Sequence, residues 1–412
     1  MTNSRCDIDG GRLWASLMAM AEIGATPAGG VRRMALSDED RRARDLLVRW
    51  LEEAGCAVRV DDVGNVYGRR PGADPAAPPV VFGSHLDTVP TGGRFDGVLG
   101  VVAAVEVVRA LNDAGVATRH PLEVVDWTNE EGAWFPPAML ASGVVCGRFT
   151  LEEAYAARNP EGRTFADDLR RIGYCGDAAH RLDRAAAYLE LHIEQGPMLE
   201  RAGIQIGVVG GVEGISWNRV EVTGTAAHGG STPMGDRRDA LVASARIILA
   251  LRGLAEASPG VRATVGHIEV SPNTINVVPG SVRMTADLRA RRTDMLDRAF
   301  DGFGAACADA ARGERVEARA SEFWRSPPTP FAPQVIEAID AAARARHFST
   351  LDLWAGAGHD AKYAADRFPA GMIFVPCAGG ISHNESEWTD PEDCTRGATV
   401  LLDAVRQLAR PA

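Results

Sequence analysis

The chain has 412 residues, a length that suits two or three domains, or one large domain carrying an insertion. Its formal net charge of −11 argues against nucleic acid or anionic membrane as the main partner, because both demand basic surface. No apolar run reaches the ~18 residues of a membrane helix, and seven scattered cysteines without a C-x-x-C read as reduced thiols, so a cytoplasmic protein is expected.

In chain order, "GGRLWASLMAMAEIG" follows Asp7 and Asp9, where a secretory leader would carry positive charge, and reads as an amphipathic helix. "SDEDRRARDLLVRWLEEAG" is a helix with both ends marked. Ser37 caps it, Asp40 takes the third helical position, and Gly55 follows the last turn. Leu46, Leu47, Trp50 and Leu51 form its apolar stripe. "CAVRVDDVGNVYGRR" alternates around Gly64-Asn65 and predicts a hairpin.

Four apolar runs follow, each ending in polar residues. "PPVVFGS" leads to His85, "LEVVDWTN" to Glu130 and Glu131, "YLEL" to His192, and "GMIFVP" to a loop with His383. Between the first two lies a buried helix, "GVLGVVAAVEVVRALNDAG". The alternation predicts an α/β fold, a mainly parallel sheet with helices on both faces. Ligands of such sheets bind beyond the carboxyl ends of the strands. The middle of the chain differs. "NRVEVTGTAAHGG" and "SVRMTADLRA" alternate around the helix "DALVASARIILALRGLAEA", with short strands in "TVGHIEVSP" and "NTINVVPG". This predicts an α+β insertion with an antiparallel sheet over 212–329, splitting the main domain into 1–211 and 330–412. "SPPTPFAP" is the return linker.

His85, Asp96, Glu131, His192 and His383 are the candidate metal ligands, because imidazole and carboxylate together suit zinc-like divalent ions. Asp96 suits a bridge, since it directly precedes a helix N-terminus. Asp87 could accept a hydrogen bond from the other nitrogen of His85 and fix which nitrogen faces the metal. Of the adjacent Glu130 and Glu131, one can bind metal while the other moves protons, a hydrolase arrangement. His120, His180, His267 and His347 have no acidic company and read as turn or helix-face residues. Arg289 shares a polar strand face with Arg283, Thr285 and Asp287. There it could grip a carboxylate. Taken by itself, a surface ion pair with Asp287 is the plainer reading.

"GSHLDTV", "GGRFDGVLGV", "DWTNEEGAWF", "LHIEQGP", "TAAHGGSTPM", "NVVPG", "DLR", "GAGHDA" and "GGISHNESE" span nearly the whole chain. Together they resemble the M20 metallopeptidase superfamily, and within it the hydantoinase/carbamoylase amidases. The resemblance implies an aminopeptidase-like catalytic domain with an inserted lid and dimerisation domain, and a homodimer formed through the latter. It implies two divalent ions per subunit (zinc, manganese, cobalt or nickel), one on His85, His192 and Asp96, the other on Asp96, Glu131 and His383. Glu130 would be the general base and Asp87 the partner of His85. His228 would stabilise the oxyanion, Asn276 and Arg289 would meet a substrate carboxylate, and Gln195 and His359 would surround the ureido or amide group.

The implied reaction is hydrolysis of the ureido C–N bond of an N-carbamoyl-L-amino acid. Alternatives are allantoate, ureidoglycolate or N-carbamoyl-β-alanine as substrate, an aminoacylase or dipeptidase, and a non-catalytic binding protein. Trp134, Lys362 and Cys377 depart from the family pattern, and none is a proposed ligand.

Overall fold

Val80–His85, Leu122–Trp127, Ala187–Ile193 and Ala370–Val375 are buried along their whole length. Such strands must lie inside a sheet covered on both faces. In the computed structural model, which describes residues 6–410, they form its centre. The first five and last two positions of the expected catalytic domain lie outside the described residues. Leu122–Trp127, Val80–His85, Ala187–Ile193 and Ala370–Val375 lie side by side in that order, each parallel to the next. Antiparallel strands flank them: the hairpin Ala57–Val60/Val66–Arg70 on one side and Ile206–Val212 on the other. Parallel direction puts the four carboxyl ends on one edge. Val80 pairs with Ala187 and Phe82 with Leu189, and the same offset sets His85 opposite His192.

The helix Val98–Asp113 is apolar nearly all round and packs on Val80–His85, with Gly10–Ala21 and Pro391–Leu408 against it. Its one buried charge, Glu106, accepts Arg12 Nε at 2.7 Å and Nη2 at 2.8 Å, so the burial is compensated. The helix Asp38–Glu53 starts at Ser37, whose Oγ accepts Asp40 N at 3.1 Å. Asp40 turns its carboxylate to Leu36 N (2.8 Å) and Arg44 Nε (2.9 Å). No helix among the described residues is long and apolar enough to cross a membrane.

A second compact unit occupies Val212–Thr329. Its antiparallel sheet runs Glu317–Ser326, Gly214–Thr223, Ser281–Ala290, Val261–Ser271. Burial alternates along the two inner strands. Val220, Val222, Met284, Ala286 and Leu288 face the helices Ala240–Glu256 and Thr293–Glu314, meeting Ile247, Leu251 and Phe303. Each of these side chains larger than alanine contributes roughly 1.5–3 kcal/mol when removed from water. The residues 283, 285, 287 and 289 take the other face, which is partly exposed.

Candidate metal centre

His85 ends its strand, and Gly97 behind it adopts φ 67°. A Cβ on Gly97 would stand 2.4 Å from the His85 imidazole, so only glycine lets the turn carrying Asp96 come this close. His192, one residue before its strand ends, donates its Nδ1–H to the Ile193 carbonyl at 2.9 Å. His85 Nδ1 meets the Asp87 carbonyl at 2.9 Å. A carbonyl only accepts, so both Nδ1 atoms carry the proton and both Nε2 atoms turn inward. There they face Asp96: His192 Nε2 is 3.1 Å and His85 Nε2 3.8 Å from Oδ1. On the other side, His383 Nε2 lies 3.4 Å from both Asp96 Oδ2 and Glu131 Oε2. Ligand atoms of His85, Asp96 and His192 lie within 4.8 Å of one another, as do those of Asp96, Glu131 and His383. All five expected ligands therefore come together, with Asp96 in both groups.

The charges of the site fit divalent cations. Asp87, Asp96 and Glu130 are buried in one place, with Asp360 and Glu387 close by. Burial, then Asp360 and Glu131, lift the Glu130 carboxyl well above its ordinary range. Burial, then Asp96 and Asp87, do the same to Glu131. Glu131 Oε1 is buried without a hydrogen-bond partner. Burial pushes His85 down to about 4, keeping Nε2 a lone pair. Burial also opposes protonation of His192, but the hydrogen bond to Asp96 prevails and raises it to about 9. Two inward imidazole nitrogens and a shared carboxylate are the donors such ions take.

Asp87 differs from the expected geometry. Its carboxylate lies 3.8 Å from His85 Nδ1, and the backbone carbonyl takes that proton. The carboxylate accepts Glu130 N at 3.0 Å and Glu131 N at 3.3 Å instead. The chain reverses at Asn129, φ 60°, and presents both amides to it. Asp87 thus holds the loop that carries the two glutamates.

Gln195, at φ 55°, donates Nε2 to Asp96 Oδ2 (2.8 Å) and to Ser382 Oγ (3.1 Å), and its Oε1 is buried without a partner. His359 is buried with its ring centroid 4.5 Å from that of His192. Trp134 is half-buried, and Lys362 and Cys377 are buried. His228, Asn276 and Arg289 belong to the Val212–Thr329 unit. His228 Nδ1 accepts Gly230 N at 3.0 Å and Ser231 N at 3.1 Å, which leaves a neutral ring's proton on Nε2. Asn276 lies next to Val277, which pairs with His228. Arg289 donates Nε and Nη2 to Asp287 at 3.0 and 2.8 Å. Sequence reasoning missed Ser382, Asp360 and Glu387. Only Glu387 carried a signal, as the acid four positions after His383.

A two-cluster histidine–carboxylate site at the carboxyl edge of a mainly parallel sheet, with a separate antiparallel unit, defines a metal-dependent hydrolase. The chain belongs to the peptidase family M20/M25/M40, which it matches over residues 81–407. It is 46% identical over 408 residues to an N-carbamoyl-L-amino-acid amidohydrolase of Rhizobium meliloti, covering 99% of this chain and 98% of that protein. It is 34% identical to the allantoate amidohydrolase of Bacillus subtilis, over 95% of each chain. A hydantoinase/carbamoylase family amidase from Burkholderia multivorans superimposes with TM-score 0.96 at 46% identity, covering 98% of this chain and 99% of that one. This chain is accordingly an amidohydrolase that acts on carbon–nitrogen bonds other than peptide bonds.

Proposed function

We propose that this chain hydrolyses the ureido C–N bond of N-carbamoyl-L-amino acids to the amino acid, carbon dioxide and ammonia. The observation that carries this reading is Asp96 shared by two histidine–carboxylate clusters, with Glu130 3.6 Å from His85 Nε2 but in neither. The similarity to the Rhizobium meliloti enzyme favours this substrate over allantoate.

His85, His192 and Asp96 would hold one divalent ion, and Asp96, Glu131 and His383 the other. Ions bound there supply Lewis acidity and let water ionise near neutral pH. Glu130 takes the proton of the attacking water and returns it to the leaving nitrogen. Asp87 keeps Glu130 in place through its backbone amide. The Nε2–H of His228 meets the oxyanion. Arg289 and Asn276 bind the α-carboxylate, and His359 and the unpartnered Oε1 of Gln195 bind the ureido group. The Val212–Thr329 unit serves as lid and dimerisation domain. Its outer strand Val261–Ser271 offers an edge of 11 residues with Ile268 exposed, and the neighbouring helix exposes Leu249. Such an edge suits pairing with a second copy. Light scattering is expected to give a dimer; a monomer at micromolar concentration would remove this assignment.

The test is ammonia release, with divalent metal supplied, from a panel of N-carbamoyl-L-amino acids, N-carbamoyl-β-alanine, allantoate and N-acetyl amino acids. Fastest turnover is expected on an N-carbamoyl-L-amino acid. Preference for allantoate would replace the proposed substrate, and activity confined to N-acetyl compounds would overturn the ureido reading.

A further inference from the structure

The two clusters are anchored differently. His85 and His192 stand on neighbouring strands, where the sheet fixes them. His383 sits in a loop at φ 54°, with 52% of its side chain exposed. Asp96 must keep one oxygen toward each cluster, so the turn carrying Asp96 has to be tied to the loop carrying His383.

Glu387 makes that tie. It is 3% exposed. Its Oε1 accepts the backbone N–H groups of Phe95 and Asp96, each at 3.1 Å. Its Oε2 lies 2.9 Å from Ser382 Oγ, which is itself 3.2 Å from Asp96 Oδ2. Gln195 Nε2 completes the circuit, donating to both Ser382 Oγ and Asp96 Oδ2. Space is reserved for the crossing: a Cβ on Gly93 would stand 2.1 Å from Glu387 Oε1. One carboxylate thus grips the backbone of Asp96 and, through the hydroxyl of Ser382, the loop that carries His383, while the Gln195 amide joins that hydroxyl to the side chain of Asp96.

We propose that Glu387 is a positioning residue for the second cation cluster, holding Asp96 Oδ2 and His383 within reach of one ion. The inference rests on the two-ion reading above. Partners that orient ligands in this way typically set metal affinity by about 10–100-fold. The effect is selective, because the sheet still holds His85 and His192 when the clamp is gone.

The experiment titrates metal-free full-length protein with zinc in competition with a chromophoric chelator, supported by calorimetry. Wild type is expected to take two ions; uptake of only one would fail the two-ion reading, not the clamp. In Glu387→Ala the second ion is expected to bind about 10–100-fold more weakly, with the first nearly unchanged. Glu387→Gln is expected to stay close to wild type, because its Oε1 still accepts both amides and its NH2 can donate to Ser382. Two tight ions in Glu387→Ala, equal weakening of both, or a Gln variant as weak as Ala would each overturn the proposal. Thermal unfolding of the metal-free variants controls for folding. Should Glu387→Ala not fold, Ser382→Ala decides: selective weakening of the second ion upholds the clamp, and unchanged affinity refutes it.

Discussion

At the carboxyl edge of the parallel sheet, Asp96, Glu130 and His192 are almost wholly withdrawn from water. On the open face of the antiparallel sheet, Arg289 and Asp287 keep 31% and 26% of their side chains exposed and satisfy each other, with Trp217 Nε1 donating to Asp287 at 3.2 Å. The first group cannot balance itself: its carboxylates outnumber its cationic partners, and an uncompensated buried charge is expensive. The second is already balanced and stays wet. One region thus leaves buried negative charge that cations would balance, and the other is paired within itself.

The sharpest way to break this contrast is Glu130→Gln. The substitution keeps the shape but removes proton transfer, and turnover is expected to fall roughly 10²–10⁴-fold. Bound metal, measured by elemental analysis, is expected to match wild type, since Glu130 lies in neither cluster. Retained turnover would remove Glu130 as the base. Next in size is Phe303→Ala, in the core of the Val212–Thr329 unit. Deleting this buried ring should cost about 3–5 kcal/mol by its transfer and cavity terms. Calorimetry should show that unit melting earlier while zinc affinity is unaltered. A matching loss of zinc would show that the unit's core supports the metal site.

How much of this could be read from the chain depends on how local the cause is. The Ser37 cap, the hairpin around Gly64-Asn65 and the four apolar strands depend on neighbours in sequence, and each formed where the pattern put it. Residue types at and beyond the strand ends likewise marked the side chains that gather in the two histidine–carboxylate clusters. The helix Thr293–Glu314 went unmarked because "DGFGAACADAARGE" dilutes its apolar stripe with alanine and glycine, and no side chain caps its start. The carboxylate of Asp87 followed the amides of Glu130 and Glu131, whose direction is set by the reversal at Asn129. Glu387 was invisible as a clamp because its amide partners are 292 and 291 positions away. Contacts fixed by tertiary approach leave no period or spacing to detect.

The smallest expected effect tests the wet half of the contrast. Arg289 presents a planar fork to Asp287 now and, on the proposed reading, to the substrate carboxylate in turn. A hydrogen bond to a charged group contributes about 1.5–3 kcal/mol, so Arg289→Ala should raise KM for N-carbamoyl amino acids roughly 10–100-fold. Folding stability should shift by less than about 1 kcal/mol, because the pair it breaks is partly solvated. Arg289→Lys should recover little, since a point charge cannot reproduce two parallel bonds. The decisive comparison is a carbamoyl substrate without the carboxylate, on which the variant should match wild type. An equal loss on that substrate would mean that Arg289 orders the sheet face through Asp287 and Trp217 and does not read the anion.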